Sequence, residues 1–273
     1  MSGFNYIFFL FKLFVLQNFL NVSKTKGIFD AKVYLINLKE REDKLESSKF
    51  QLNLLGLNFT VVEAENGFYL KSLDYKKMTE SFLKNKTGVE DLKITLLNIT
   101  QSNRSPGQIG CWLSHLKTLN KIINSNDSLS LILEDDFVAD GNAISLVNKY
   151  IHLLSKEKNW DLLYVGHCDS PSRCKKFLDK KKSICLTETR IYCTHAYLIK
   201  NKSVAKKIFN AGNLIKPVNA DYFFDKANIK RYVVFPHIFK QRKNIKADIN
   251  SRGGIYDLLL NNTIEQILET KFK

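Results

Sequence analysis

The run Leu131-Ile132-Leu133-Glu134-Asp135-Asp136-Phe137 constrains this chain more than any other. Unbroken apolar residues read as a buried strand, and this strand runs directly into three adjacent carboxylates. Three like charges at the end of a buried strand repel one another, so something cationic must neutralise them. The simplest candidate is a divalent metal with oxygen ligands, and a metal so placed commonly carries a phosphorylated substrate. Taken alone, the triplet also reads as a solvated acidic turn that opens the next helix.

The surrounding pattern alternates strands and helices. Lys32 to Leu38 reads as a strand, about Arg41 to Leu55 as a charged helix with Leu45, Phe50, Leu52 and Leu55 on its apolar stripe, and Asn58 to Val62 as a second strand after Gly56. Gly67 to Ser105 is polar and irregular and reads as an insertion over the sheet edge, closed by Pro106-Gly107. Ile109 to Ile123 reads as a helix with Trp112, Leu116, Leu119 and Ile123 on one stripe. After the acidic strand, Ala143 to Leu154 reads as a helix, Trp160 to Gly166 as a strand and His167 to Cys185 as a loop. Tyr192 to Ile199 reads as a strand, Lys202 to Ala211 and Ala220 to Ala227 as helices, and Tyr232 to Phe235 as the last regular piece. Such alternation predicts an α/β domain with a mostly parallel sheet, in which ligands sit at the carboxyl ends of the strands. Asn37 to Arg41, Glu134 to Asp136 and Gly166 to Asp169 then share one rim. No Walker-type loop, GxGxxG or nucleophile-elbow serine is present, which removes support from P-loop, dinucleotide-binding and serine-hydrolase readings.

Charge sets the partners. The 273 residues carry a formal charge of +15, which calls for an acidic partner: a nucleotide-bearing substrate, an anionic membrane surface or nucleic acid. Against nucleic acid, the aromatic residues fall at core-like positions and are not interleaved with the basic runs. Cys168, Cys174, Cys185 and Cys193 lack the paired spacing of a zinc site, leaving local disulfides or free buried thiols open. Phe4 to Leu20 is almost wholly apolar and is expected to be a signal anchor, with an imperfect signal peptide or an apolar surface helix as alternatives. The expected organisation is an N-terminal segment over 1–25, one domain over 26–255 and a tail over 256–273.

Several blocks fall in a recognisable order: Ile36-Asn37-Leu38 with Arg41, Asp43 and Lys44; Ala64-Glu65-Asn66-Gly67; Gly107 through His115; Leu133 through Asp136; Trp160 through Gly166; Thr194 through Ile199; and Val218-Asn219-Ala220-Asp221. Together they resemble glycosyltransferase family 25, over roughly residues 32 to 250. Lys44 stands where that family usually has a second Arg, and Gln108 where an acid is common. The Gly166-His167-Cys168 and Cys193-Thr194-His195-Ala196-Tyr197 segments look more like eukaryotic members.

The resemblance implies a GT-A-type, Rossmann-like domain. It also implies inverting transfer of a hexose, usually galactose from UDP-galactose, with Mn²⁺ or Mg²⁺ supporting the diphosphate leaving group. Asp136 is then the expected direct metal ligand, and Glu134 a second metal-side acid; Asp135 is expected at the ribose or a metal-bound water. Asn37 and Arg41 are expected at the uridine and its phosphate side, and Ser114 and His115 at donor or acceptor. Asp221 is expected to be the base that takes the acceptor proton, although it is displaced by two residues from the family pattern; Asp169 is the other candidate, and His237 a late metal ligand. The acceptor is expected to be a glycan, a lipid-linked sugar or a collagen-like chain. The expected setting is the secretory-pathway lumen for a eukaryotic protein, or the cytoplasmic membrane face for a bacterial one. Two other classes compete: a catalytically inactive relative acting as a binding scaffold, and a basic nucleic-acid-binding protein.

Overall fold

The computed structural model describes residues 29–67, 105–157, 159–174, 176–213 and 224–242. The apolar N-terminal segment, most of the polar insertion, Asp221 and the basic C-terminal stretch lie outside the described residues.

An eight-stranded sheet forms the centre. Its strands are β1 (Lys32–Asn37), β2 (Phe59–Glu63), β3 (Ser130–Glu134), β5 (Leu162–Gly166), β6 (Lys176–Phe177), β7 (Ile184–Thr187), β8 (Ala196–Ile199) and β9 (Arg231–Val234). Across the sheet they lie in the order β2-β1-β3-β8-β5-β9-β7-β6. β1 pairs in parallel with β2 and β3, β5 pairs in parallel with β9, and β8 runs antiparallel between β3 and β5. β2, β1, β3, β5 and β9 therefore all point the same way. Their carboxyl ends, with the amino end of β8, make one rim.

Among the described residues, four helices cover the two faces: α1 (Glu42–Leu54), α2 (Pro106–Ile123), α3 (Ala143–Ser155) and α4 (Lys202–Asn213). Successive side chains of a strand point to opposite faces, and β1 shows the consequence. Tyr34 and Ile36 enter a core with Trp112 and Leu116 of α2 and Val204 and Ile208 of α4. Val33 and Leu35 enter a second core with Leu52 of α1 and Val147 and Leu154 of α3. Leu119 and Leu133 are fully buried, one in each core, and truncating either to Ala costs about 2–5 kcal/mol.

α2 begins three residues before its expected start. The Ser105 Oγ accepts the Gln108 N–H at 3.3 Å, and the Gln108 Oε1 accepts the Ser105 N–H at 3.1 Å, with Pro106 as the first helical residue. Pro106-Gly107 opens this helix through a capping box and does not merely close the preceding segment.

Two further differences bear on the site. The stretch expected as a loop, His167 to Cys185, contains a single 3₁₀ turn over Pro171–Arg173 and the β6–β7 hairpin. The chain also turns back on itself after β9. β10 (Phe239–Gln241) pairs antiparallel with β4 (Phe137–Ala139), placing Gln241 opposite Phe137, and the Phe137 and Phe239 rings meet edge to face at 5.8 Å. This ribbon lays residues 238–242 against the acidic turn.

Candidate active site at the sheet rim

Glu134, Asp135 and Asp136 follow one another where β3 leaves the sheet, and each is held by a different element. Glu134 Oε1 accepts from His115 Nε2 on α2 at 3.1 Å and from Thr194 Oγ1 at 3.1 Å. A carboxylate only accepts, so Nε2 carries the proton facing it and Nδ1 accepts the Tyr197 hydroxyl at 2.9 Å. Burial lifts the Tyr197 phenol well above its ordinary range, so it remains a donor. Burial also works to raise Glu134, but the His115 and Thr194 hydrogen bonds and the nearby His115 and His195 rings outweigh it and hold the carboxyl below its usual range.

Asp135 faces α1. Its carboxylate lies 3.4 Å from the buried ammonium of Lys44, and its carbonyl accepts the Ser48 hydroxyl at 2.8 Å. Burial raises its carboxyl to about 7, with Lys44 pulling down against the like charges of Asp136 and Glu134. An apolar helix face would lack Lys44 and Ser48. Both are buried here because the acidic turn lies against α1.

Asp136 is tethered from β10. Gln241 Nε2 donates to Oδ2 at 2.9 Å, and the Arg242 N–H donates to the Asp136 carbonyl at 2.8 Å. Oδ1 is buried and takes no hydrogen bond. Burial and the adjacent Glu134 charge raise this carboxyl. An unpartnered buried carboxylate oxygen is costly and fits a divalent cation, which prefers oxygen ligands. Of the three acids, Asp136 fits direct ligation best, because among them it is the one with a buried carboxylate oxygen that lacks a partner among the described residues.

The rest of the rim is amide and imidazole. Asn37, at the end of β1, is 2% exposed; its Nδ2 donates to the Leu38 carbonyl at 2.6 Å, while its Oδ1 is buried with no partner. His167 donates from Nε2 to the Val234 carbonyl at 2.9 Å and accepts the Asp169 N–H at Nδ1, 3.2 Å away. Burial lowers it to about 4, and burial likewise lowers His237, whose Nδ1 lies 3.2 Å from His167 Nε2. His195 donates from Nε2 to the Phe239 carbonyl at 3.1 Å. Gly166 makes room for it: a Cβ there would lie 2.5 Å from His195 Nε2 and 2.6 Å from the Phe239 carbonyl.

Other expected residues are engaged by neighbouring groups of the protein. Ser114 is buried, donating to the Gly110 carbonyl at 2.6 Å and accepting the Glu65 N–H at 2.8 Å, so it joins α2 to the loop after β2. His115 is buried and turns its Nε2 toward Glu134. Arg41 forms a fork with Asp43, Nε to Oδ1 and Nη2 to Oδ2 each at 2.9 Å, which pulls Asp43 to about 2. Asp169 has both oxygens engaged, one by Arg173 Nε at 3.0 Å and one by the Tyr192 N–H at 2.5 Å, so it braces the loop. Asp221 lies outside the described residues. Thr194, Tyr197 and Gln241 were not expected as site residues. Thr194 and Tyr197 lie in a recognisable block, whereas Gln241 reaches Asp136 only through the β4–β10 pairing, 105 positions away. Cys168 is bonded to Cys193 and Cys174 to Cys185, which resolves the open cysteine question in favour of disulfides.

A helix-flanked α/β sheet with a carboxylate triplet at its carboxyl rim defines a GT-A-type fold. The family model of glycosyltransferase family 25 (LPS biosynthesis protein) matches residues 30–224, and the chain belongs to that family. Procollagen galactosyltransferase 1-B of Xenopus laevis is 31% identical over 216 residues, covering 76% of this chain and 33% of that protein. A glycosyltransferase 25 family member of Anopheles gambiae is 25% identical over 191 residues, covering 70% of this chain and 30% of that protein. The inactive glycosyltransferase 25 family member 3 of Homo sapiens is 26% identical over 135 residues, covering 49% of this chain and 21% of that protein. The chain thus spans about a third of the length of the procollagen galactosyltransferase it matches.

Proposed function

We propose that this protein is a metal-dependent, inverting galactosyltransferase that uses UDP-galactose and a hydroxyl acceptor on a glycan or a collagen-like protein. The observation that carries the reading is Asp136 Oδ1, a buried carboxylate oxygen without a partner at the end of β3. Asp136, with Glu134 beside it, would hold Mn²⁺ or Mg²⁺; when bound, the ion neutralises charge developing on the diphosphate leaving group.

The chain's own residues do the rest. Asn37 Oδ1 offers a buried acceptor suited to an N–H such as that of uracil. Lys44 and Arg242 flank the triplet with positive charge; the Arg242 Nη2 donates to the Ser47 hydroxyl at 2.5 Å. His115, Thr194 and Gln241 keep Glu134 and Asp136 in fixed orientations, so little reorganisation accompanies reaction. Asp221 is the proposed base for the acceptor hydroxyl. His237, kept neutral by burial, is the described residue suited to contribute a late ligand or a second proton acceptor. Two disulfides support a site of action in an oxidising compartment such as the secretory-pathway lumen. Among the described residues no helix is long and apolar enough to cross a membrane.

The test is hydrolysis of a panel of UDP-sugars with and without Mn²⁺. Metal-dependent turnover of UDP-galactose above the other donors is expected. Metal-dependent UDP binding with no turnover of any donor, even with collagen-like peptide present, would favour the binding-scaffold reading that the inactive human relative brings forward.

A further inference from the structure

The two disulfides near the rim are not equivalent. Cys168–Cys193 lies at the lip of the site, one residue after His167 and one before Thr194, and Cys168 is exposed. Cys174–Cys185 lies within the loop that the first bond closes, and Cys185 on β7 is fully buried at 0% exposure. Thiol–disulfide exchange needs a reachable sulfur and a partner sulfur that leaves readily as thiolate. Attack at Cys174 would force a thiolate onto Cys185 in the apolar core, which disfavours it. Attack at Cys168 expels Cys193 instead.

His195 distinguishes the two bonds further. Its ring is 1% exposed, and one of its nitrogens lies within 4.8 Å of both the Cys168 and Cys193 sulfurs. Nε2 donates to the Phe239 carbonyl, and Nδ1, which is an acceptor in the neutral ring, is buried with no partner among the described residues. A disulfide has no hydrogen to offer it. A thiol does, so the reduced pair supplies the donor that the oxidised pair withholds.

We propose that Cys168, Cys193 and His195 form a thiol–disulfide exchange site whose co-substrate is an accessible dithiol. The dithiol's thiolate bonds to Cys168 Sγ; the Cys168–Cys193 bond breaks and its electron pair passes to Cys193 Sγ. That sulfur takes a proton from solvent and donates it in a hydrogen bond to His195 Nδ1. The second thiol of the reductant then attacks the mixed disulfide and releases the Cys168 thiol, leaving the reductant oxidised by two electrons. Opening removes the tether between the loop after β5 and the segment leading into β8, where Asp169 clamps the Tyr192 N–H and Thr194 reaches Glu134. Nothing in this step invokes a sugar donor, so it stands or falls apart from the proposed transferase activity.

The test is a graded dithiothreitol titration of the native protein, quenched with iodoacetamide and mapped by peptide mass spectrometry, with near-UV circular dichroism followed in parallel. Cys168 and Cys193 are expected to become alkylated at roughly tenfold lower reductant than Cys174 and Cys185, before the native signal is lost. Opening of both pairs together, or of Cys174–Cys185 first, would overturn the proposal. His195→Leu removes the acceptor altogether, so it is expected to close most of that gap. An unchanged gap in a folded His195→Leu protein would remove His195 from the site, and the wild-type titration decides the exchange site itself if the variant does not fold.

Discussion

Gln241 Nε2 donates to Asp136 Oδ2 at 2.9 Å, and this one contact turns a flexible acidic side chain into an oriented one. Oδ2 is held by Gln241 and the Asp136 carbonyl by the Arg242 N–H, while the buried Oδ1 has no partner among the described residues. A group that supports a metal ligand in this way is expected to matter almost as much as the ligand. Gln241→Ala is therefore predicted to weaken Mn²⁺ binding by roughly 10–100-fold while leaving thermal stability nearly unchanged, as read by calorimetric titration. Unaltered affinity would mean that Asp136 needs no orienting partner.

Asp136 itself should show opposite effects on stability and ligand response. Burial and the Glu134 charge raise its carboxyl, so the ionised form is disfavoured in the absence of a cation. Asp136→Asn is predicted to be at least as stable as wild type in chelator-treated buffer. Wild type should gain about 2.7 kcal/mol when Mn²⁺ is present at a hundred times its Kd, and the variant should gain essentially nothing. Equal gains in chemical denaturation would place the ion elsewhere.

Gly166 tests the packing of the rim. A methyl group there meets the His195 ring and the Phe239 carbonyl at 2.5 and 2.6 Å, and the carbonyl belongs to backbone that is paired in β10. Gly166→Ala should cost about 1–3 kcal/mol and displace β10, loosening Gln241 from Asp136. A fully stable variant with unchanged metal affinity would show that the ribbon yields easily.

His167 provides a pH signature. Its folded-state value lies near 4 against an ordinary 6.5, chiefly through burial. Between those values the unfolded chain binds the proton and the folded one does not, so its contribution is present above 6.5 and is lost as pH falls toward 4. The full loss is about 3 kcal/mol. Asp135 acts in the opposite sense: its raised carboxyl lets the folded state hold a proton up to about 7, so its contribution falls as pH rises toward that value. The difference between wild type and His167→Gln isolates the histidine, and urea denaturation from pH 4 to 7 should give a shallower acid slope in the variant. Parallel slopes would contradict a buried neutral His167.

Much of the architecture was legible because it is local. The apolar run of β3, the stripe of α2 and the acids at the strand end all follow from spacing within a few residues. The start of α2 was missed: Ser105 and Gln108 form a capping box three residues apart, but the Pro106-Gly107 pair reads more readily as a break. The β4–β10 ribbon was not legible. Phe137–Ala139 and Phe239–Gln241 are three residues each, too short to carry a period, and their pairing exists only once β9 has brought them together. The β6–β7 hairpin was hidden in the same way, by a turn of exposed lysines over Lys180 to Lys182. For the site, sequence could mark Glu134, Asp135 and Asp136, and it was the family resemblance that divided their expected roles. In the structure the division depends on which of His115, Lys44 and Gln241 reaches which carboxylate, and those three partners come from three different elements.

The central claim is that Asp136 Oδ1 is the protein's point of metal attachment. Its most direct test is Mn²⁺ binding followed by electron paramagnetic resonance in the presence of UDP, comparing wild type with Asp136→Asn. The account predicts one bound ion per wild-type chain and at least roughly 100-fold weaker binding in the variant. Undiminished binding of one ion by Asp136→Asn would contradict it.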